Sequence, residues 1–221
     1  KRDKGMVMNH KKIQRIKNEY GLFTKIRKVN PYKAIMKKTQ EHRTFPNIVN
    51  REFTQTLPHR VFGTDITYLP YGRRLAYLSA VKDFATGEIV AFHVSQHLTM
   101  DIVLQTVLQL KNNPSIPSLK GVIIHSDQGV HYTSPEYSHR LHELGMIQSM
   151  SRKATCLDNA PTESYFGHFK DDSNYKDCAT FTEVLTVVTT DICEYNHERP
   201  QWGRNKMTPV EYRDHLFSPP K

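Results

Sequence analysis

The sequence predicts an α/β domain in which helices cover a mixed sheet, preceded by a basic helical extension. Three short β-type segments lie close together between residues 61 and 94. Apolar stretches of helical period and one further short strand follow them, and positive charge is concentrated before residue 51. With 221 residues, the chain is long enough for one sizeable domain and an extension. We therefore expect a basic arm and linker at residues 1–58 and a folded core with C-terminal helices at residues 59–221.

The first fifty residues form the basic arm, with 14 Lys or Arg against 3 Asp or Glu. The remaining residues hold 17 and 19, so the whole net charge of +9 comes from the arm. Asn9 is a suitable N-cap for a helix over residues 10–20, and Gly21 is a suitable stop. A linker with broken helix follows to Pro58. This pattern predicts polyanion binding, and a solvated basic tail is the simpler alternative. The candidate DNA contacts in the arm are Lys11, Lys12, Arg15, Lys25, Arg27 and Lys28.

The core is expected to begin with three strands joined by tight turns. Alternating apolar residues predict strands at 61–69, 75–81 and 88–94, in an antiparallel meander. A helix over 99–112 and a short, fully apolar strand at 122–124 come next, and the strand is expected at a central position. Three helices are expected after it, at about 134–145, 161–170 and 182–195.

Composition excludes several classes of protein. No apolar run approaches the roughly 18 residues that span a bilayer, and no signal-peptide pattern follows Lys1, so neither a membrane protein nor a secreted one is expected. The three cysteines lack zinc-site spacing, and an odd number disfavours a disulfide framework. We expect packed thiols in a reducing compartment.

Three carboxylates lie where the predicted elements can bring them together. Asp65 is inside the first strand, Asp127 follows the buried strand, and Glu163 is in the first turn of a helix. A carboxylate on a central strand is costly to bury unless it is paired or holds a cation. Oxygen-only ligand sets suit Mg²⁺ or Mn²⁺, and two such ions can drive phosphodiester chemistry. Lys170 lies two turns after Glu163 on the same helix face, where it could hold a phosphate.

The residues around this triad resemble a known family. The matching stretches are Thr-Asp-Ile-Thr-Tyr at 64–68, His-Ser-Asp-Gln-Gly at 125–129, and Asp-Asn-Ala-Pro with the following Glu at 158–163. Thirty-five residues separate Asp127 from Glu163. These stretches and this spacing resemble those of the integrase-type DDE transposases of bacterial insertion sequences, which are relatives of retroviral integrases. The resemblance covers about residues 60–215.

The resemblance implies a ribonuclease H-like fold and catalysis with two Mg²⁺ or Mn²⁺ ions. Asp65, Asp127 and Glu163 match the family's metal-binding triad, and Lys170 matches the basic residue that follows the Glu. The implied activity is cleavage of double-stranded DNA at element ends and joining of a 3′-hydroxyl to a target strand. The implied assembly is a homo-oligomer on paired ends, in the bacterial cytoplasm with the nucleoid.

Two rival functions remain open at this stage. A ribonuclease H-like nuclease that only hydrolyses would share the metal site, so the triad does not separate it from a transposase. A DNA-binding regulator on an inactive scaffold is the second rival, although such a protein would be expected to have lost a carboxylate.

A few further residues have two interpretations each. His131, Arg152 and Lys153 are candidate DNA contacts near the triad. His125 and His131, which flank Asp127, either contact the scissile phosphate or orient Asp127, or they make only local hydrogen bonds. Tyr195 and Trp202 could stack on bases, but roles in packing are favoured.

Overall fold

A computed structural model describes residues 9–22, 43–152 and 156–218, and the chain forms two units, residues 1–39 and 40–221. The first unit contains helix α1 (His10–Glu19), and the Asn9 side chain caps it by accepting a hydrogen bond from the Lys11 N–H. Gly21 follows with φ of +61°, a left-handed conformation that suits glycine. The predicted helix is confirmed, and none of its residues is buried.

In the described residues of the second unit, a five-stranded sheet is accompanied by five helices. The strands are β1 (Val61–Tyr71), β2 (Arg74–Asp83), β3 (Ile89–Ser95), β4 (Ile123–Ser126) and β5 (Ile147–Met150). The helices are α2 (Asp101–Lys111), α3 (Pro135–Glu143), α4 (Ala160–Asp172), α5 (Phe181–His197) and α6 (Pro209–Phe217). Short 3₁₀ turns lie at Cys156–Asn159, Tyr175–Asp177 and Trp202–Arg204.

The strand order is β3-β2-β1-β4-β5, which confirms the predicted mixed sheet. The first three strands form the predicted antiparallel meander, and β4 and β5 add to it in parallel. β1 is therefore hydrogen-bonded on both sides. In the register, Asp65 lies opposite Ala80 of β2, and Gly63 lies opposite His125 of β4.

Helices cover both faces of the sheet, and each face has its own apolar core. On one face, α2 and α3 pack over β1, β2 and β4 through a buried cluster that includes Phe62, Val81, Ile102, Leu110, Ile124 and Leu141. On the other, α4 and α5 pack through Leu69, Leu78, Tyr165, Phe169, Val184 and Val188. None of the helices in the described residues is long and apolar enough to cross a membrane.

The sequence prediction missed two elements. β5 has four residues, too short for an alternating pattern to stand out, yet it pairs with β4 over its whole length. α6 begins with a capping box, in which the Thr208 and Glu211 side chains each accept a hydrogen bond from the other's backbone N–H. The other predicted strands and helices are present, with ends that differ by a few residues.

Residues 43–58, which we expected to be linker, pack against the core. The Arg43 N–H donates to the Thr133 carbonyl at 3.0 Å, and the Ile48 N–H donates to Ser149 Oγ at 3.0 Å. Val49 is buried in a small cluster with Val61 and Phe84. The described part of the linker contains no helix, and residues 23–42 lie outside the described residues. The boundary at residue 58 stays a prediction, but the segment just before it does not behave as a free arm.

Candidate active site

Asp65 lies on the central strand β1 and is half-buried. Its Oδ1 accepts a hydrogen bond from the Ile66 N–H at 2.7 Å. Because β1 is paired on both sides, its backbone is fixed by ladder bonds to β2 and β4. Asp65 therefore has a defined position from which the rest of the site can be described.

Asp127 directly follows β4 and is exposed at the carboxyl end of that strand. Its Oδ1 accepts a hydrogen bond from the Gly129 N–H at 2.8 Å, which closes a tight turn. A Cβ on Gly129 would lie 2.8 Å from the same oxygen, so a larger residue there would displace the Asp127 carboxylate. β4 runs parallel to β1, so its carboxyl end brings Asp127 to the part of the sheet that carries Asp65.

Glu163 lies in the first turn of α4 and is exposed, and Lys170 is half-buried on the same helix. The start of α4 packs directly over β1, because a Cβ on Gly63 would lie 2.6 Å from Thr162 Oγ1. This close approach requires glycine at residue 63. It also places the first turn of α4 against β1 at a point two residues before Asp65.

The charges of Asp127, Glu163 and Lys170 all affect the pKa of Asp65. The pKa of Asp65 is raised to about 7, mainly by burial and, to a smaller extent, by the charges of Asp127 and then Glu163. The Ile66 N–H and the charge of Lys170 act in the opposite direction. Such interactions need proximity. The structure thus brings together the three carboxylates and the lysine that the sequence singled out.

The donor set fits a divalent cation, although the ligands are not gathered around one point. Among the described residues, no three His, Cys, Asp or Glu side chains are close enough to hold a metal ion. Like charges repel, which explains the separation, and the exposed Glu163 can change rotamer without disturbing the core. The three carboxylates offer only oxygen ligands, as Mg²⁺ and Mn²⁺ prefer. A cation among them would offset the repulsion that raises the pKa of Asp65.

His125, two residues before Asp127, has a structural role. Its ring nitrogens lie 2.9 Å from Ser149 Oγ and 3.2 Å from Ser151 Oγ, and Nε2 also lies 2.9 Å from the Asp158 carbonyl oxygen. Burial lowers the pKa of His125, which favours the neutral ring. Of its two interpretations, local hydrogen bonding is the one observed, and it ties β4 and β5 to the turn that leads into α4.

Asp158 is a buried carboxylate that the sequence analysis did not identify as a site residue. Its two oxygens accept hydrogen bonds from Arg51 Nε at 2.7 Å, from the Arg152 backbone and guanidinium at 2.9–3.0 Å, and from Asn47 Nδ2 at 3.0 Å. The bonds from Arg152 are the largest cause of a pKa of Asp158 well below its usual range. This network ties residues 47–51 to the turn before Glu163, across 107 positions of sequence.

The predicted DNA contacts differ in their placement. Lys11, Lys12 and Arg15 are exposed on α1. His131 is only 7% exposed, whereas the Arg152 side chain is half-exposed while its guanidinium donates to Asp158. A DNA contact by either residue stays a prediction. The remaining candidates lie outside the described residues: Lys25, Arg27, Lys28 and Lys153.

Tyr195 and Trp202, which could either stack on bases or pack in the protein, differ in their exposure. Tyr195 packs edge-on against Tyr165, and its hydroxyl donates to the Gly87 carbonyl at 3.0 Å, so the packing role is observed. Trp202 is 85% exposed, so the expectation that it packs is wrong. It lies in a polar 3₁₀ turn, which provides no apolar surface to cover the ring.

Comparison with known families identifies both halves of the core. Two integrase core domain models match the chain, one over residues 55–156 and one over residues 163–217. The first match contains Asp65 and Asp127, and the second begins at Glu163. The chain is 34% identical over 218 residues to InsK of Escherichia coli (strain K12), the transposase assigned to insertion sequence element IS150. That match covers 97% of this chain and 75% of InsK.

Solved structures share the fold at low sequence identity. The catalytic core domain of HTLV-2 integrase, solved with magnesium, superposes with a TM-score of 0.57 at 17% identity, over 71% of this chain and 97% of that domain. A chain of the simian T-cell lymphotropic virus intasome in complex with PP2A regulatory subunit B56 gamma gives 0.60 at 18% identity, over 84% of this chain and 63% of its own. The predicted ribonuclease H-like fold is confirmed. The chain therefore belongs to the integrase-core transposases of bacterial insertion sequences, enzymes of the DDE class.

Proposed function

We propose that this transposase cuts DNA at the ends of an insertion sequence and joins the resulting 3′-hydroxyl to a target strand, with Asp65, Asp127 and Glu163 as catalytic residues. The observation that carries the proposal is the shared electrostatic field of these side chains. Asp127 and Glu163, which are distant in sequence, both raise the pKa of Asp65 at one edge of the sheet. Asp158 shows the contrast, because that structural carboxylate is neutralised by two arginines, Arg51 and Arg152.

The three carboxylates would hold Mg²⁺ or Mn²⁺, and we propose two ions. Bound there, the ions would lower the pKa of the attacking hydroxyl and stabilise the leaving oxygen. The chain contributes a fixed carboxylate, Asp65, and two exposed ones that can adjust to the substrate. The presence of magnesium in the HTLV-2 integrase core supports this choice of metal.

Lys170 and the basic arm would hold the DNA. Lys170 shares a helix face with Glu163, so its ammonium group is placed to contact a phosphate beside the carboxylates. On α1, the exposed cations Lys11, Lys12 and Arg15 offer a second set of phosphate contacts. We keep Lys25, Arg27, Lys28 and Lys153 as candidate contacts because of their charge. Arg152 remains a candidate because its side chain is half-exposed. His131 is buried and remains a candidate only if DNA binding rearranges its surroundings.

The substrate we propose is double-stranded DNA, both element ends and target, held by a homo-oligomer on paired ends. The similarity of the core to a chain of a viral intasome supports an assembly of several copies. Such a substrate places the enzyme in the bacterial cytoplasm, in contact with the nucleoid.

The test is a joining assay with labelled 3′-ends, in Mg²⁺ and in Mn²⁺. Asp65→Asn, Asp127→Asn and Glu163→Gln should each abolish joining while leaving the far-UV circular dichroism spectrum and DNA binding unchanged. Asp171→Asn is the matched control, since Asp171 is an exposed carboxylate on the same helix as Glu163. Joining by the Asp127→Asn protein would contradict the proposal. Metal-dependent nicking without joining would favour a hydrolytic nuclease, and neither reaction in either metal would favour a DNA-binding regulator.

The arm is tested by the salt dependence of DNA binding. Replacing Lys11, Lys12 and Arg15 by Gln in the full chain should weaken binding and reduce the slope of log affinity against log salt by about 2 to 3, because each phosphate contact contributes about 0.9. Replacing three exposed cations of the core, Lys111, Lys120 and Lys176, provides the control. An unchanged slope in the arm variant would show that α1 does not contact phosphates.

A further inference from the structure

The loop at residues 201–207, between α5 and α6, carries an unusual exposed side chain. Trp202 is 85% exposed, more than any other large hydrophobic side chain in the described residues. Isolated exposed aliphatic residues are common, but leaving a tryptophan ring in water is costly because it is large and apolar. It is also the only tryptophan in the chain.

The loop holds Trp202 in a fixed position. The Gln201 N–H donates to the Met207 carbonyl at 2.9 Å, and the Lys206 N–H donates back to the Gln201 carbonyl at 3.1 Å. Asn205 and Lys206 adopt left-handed backbone conformations, with φ of +53° and +60°. A closed turn of this kind restrains the backbone on both sides of the ring, so a ligand would bind without first having to order the loop.

Arg204 anchors the loop to the core. Its Nη1 donates to Gln201 Oε1 at 2.5 Å, and its guanidinium lies so close to Gly87 that a Cβ there would be 2.6 Å away. Gly87 is in the turn between β2 and β3. Burial raises the pKa of Asp83, and the charge of Arg204 acts in the opposite direction, so this cation lies close enough to affect a buried group of the core. The loop is thus attached to the sheet at its base, with Trp202 at the outer side.

The surroundings of Trp202 are cationic and polar. Lys206 Nζ lies 4.9 Å from the centre of the Trp202 ring, a cation–π contact on one face. With 85% of the residue exposed, the opposite face is open to solvent. Residues 199–207 contain three Lys or Arg and no Asp or Glu. An open aromatic face beside a lysine is the combination that binds a base together with its phosphate.

We propose that Trp202 stacks on an unpaired base of the DNA substrate, with Lys206 on the adjacent phosphate. The proposal rests on the proposed function only in taking DNA as the substrate, and it concerns a site distinct from the carboxylate triad. A protein partner fits less well, because a tryptophan at the centre of a protein interface is usually surrounded by apolar neighbours that exclude water. Here Met207 is the only other large apolar residue of the loop, and the rest are Gln201, Gly203, Arg204, Asn205 and Lys206.

The test uses the fluorescence of the full chain, because selective excitation of tryptophan reports on Trp202 alone. A short single-stranded oligonucleotide of mixed sequence, added without divalent metal, should quench the emission in a saturable way. The blunt duplex of the same sequence should quench less at equal occupancy, because its bases are already stacked. The Asp127→Asn protein should show the same quenching, so a failure of the proposed catalysis would not be mistaken for a failure of stacking.

Variants measure what the ring contributes to binding, by the fluorescence anisotropy of a labelled oligonucleotide. Trp202→Ala should weaken single-strand binding roughly 5- to 150-fold, the range reported by alanine substitution for one base–aromatic stack. Trp202→Phe should retain most of the affinity. Lys206→Asn should weaken binding less than Trp202→Ala, since asparagine tolerates the left-handed backbone and only the charge is lost. Leu57→Ala is the control, because Leu57 is another strongly exposed apolar side chain.

Three outcomes would overturn the proposal. One is DNA binding, seen by anisotropy, with no change in tryptophan emission. Another is a Trp202→Ala protein that binds the single strand as tightly as the wild type. The third is a shift of the tryptophan emission that occurs without DNA and follows self-association as the protein concentration rises. Such a shift would assign the Trp202 ring to an interface between copies of the chain.

Discussion

Asp65→Asn should make the metal-free protein more stable at alkaline pH, although it abolishes the proposed activity. A carboxyl group whose pKa rises from 3.8 to about 7 binds a proton more tightly in the folded state than in the unfolded state. Folding stability should therefore fall as pH rises between these two values. Each pH unit is worth about 1.4 kcal/mol, so the ionised group costs the folded state about 4 kcal/mol above pH 7.

The assay is urea unfolding in the presence of EDTA, at pH values on both sides of this range. Near pH 8 the Asp65→Asn protein should exceed the wild type in free energy of unfolding by up to about 4 kcal/mol, and near pH 5 by about 1 to 2 kcal/mol. Asp127→Asn should give part of the gain, because the charge of Asp127 contributes less to the raised pKa than burial does. Asp171→Asn, on the exposed surface of α4, should give none.

Mg²⁺ should reduce the difference between the two proteins, since a cation that binds only the carboxylate form stabilises the wild type by mass action. The reasoning would be refuted by an Asp65→Asn protein whose stability matches the wild type at every pH in EDTA. That result would mean that solvent screens Asp65 and that the three carboxylates do not share a field.

Three further predictions concern residues that support the site. Asp158→Ala should lower the free energy of unfolding, measured by urea titration, by about 1–3 kcal/mol. The loss is smaller than for a fully buried ion pair because both arginines are half-exposed. An unchanged urea midpoint would contradict a structural role. Gly63→Ala should destabilise the protein by about 1–3 kcal/mol and slow joining, because its Cβ would lie 2.4 Å from the Phe84 ring and 2.6 Å from Thr162 Oγ1 of α4, which would be displaced. Normal stability and normal joining would argue against this packing. Burial lowers the pKa of Lys82 to about 7, so between about pH 7 and 10.5 the unfolded state binds more protons than the folded state. The free energy of unfolding should therefore rise with pH over this range. A Lys82→Met protein that keeps this rise would rule out Lys82 as its source.

The positions of the triad could be predicted because they depend on local patterns. Asp65 is inside an alternating strand, Asp127 ends an apolar run, and Glu163 follows a helix start signal, so each element could be placed from nearby residues. Topology then brings the carboxyl end of β4 and the start of α4 to β1. The distances between the carboxylates could not be predicted, since they depend on side-chain rotamers and on the charge that the site holds.

The supporting network could not be predicted for a different reason. Arg51 and Asp158 are 107 positions apart, and nothing in either local sequence indicates the other. Lys82 lies in an apolar strand with its ammonium group 3.2 Å from the Pro161 carbonyl oxygen, a burial that no local pattern reveals. Trp202 shows the converse, because tryptophan is usually buried and only the three-dimensional loop reveals that it is exposed. Long-range pairing and exposure are properties of the tertiary structure.

The attachment of residues 43–52 to the core determines where a recombinant fragment of the core must begin. A recombinant fragment starting at residue 59 would lack Asn47 and Arg51, two of the three residues that neutralise or hydrogen-bond Asp158. It would also uncover the surface now occupied by Val49. Expression of an isolated core should therefore begin upstream of Arg43, and poor solubility of shorter versions would reflect a misplaced cut rather than an unstable enzyme.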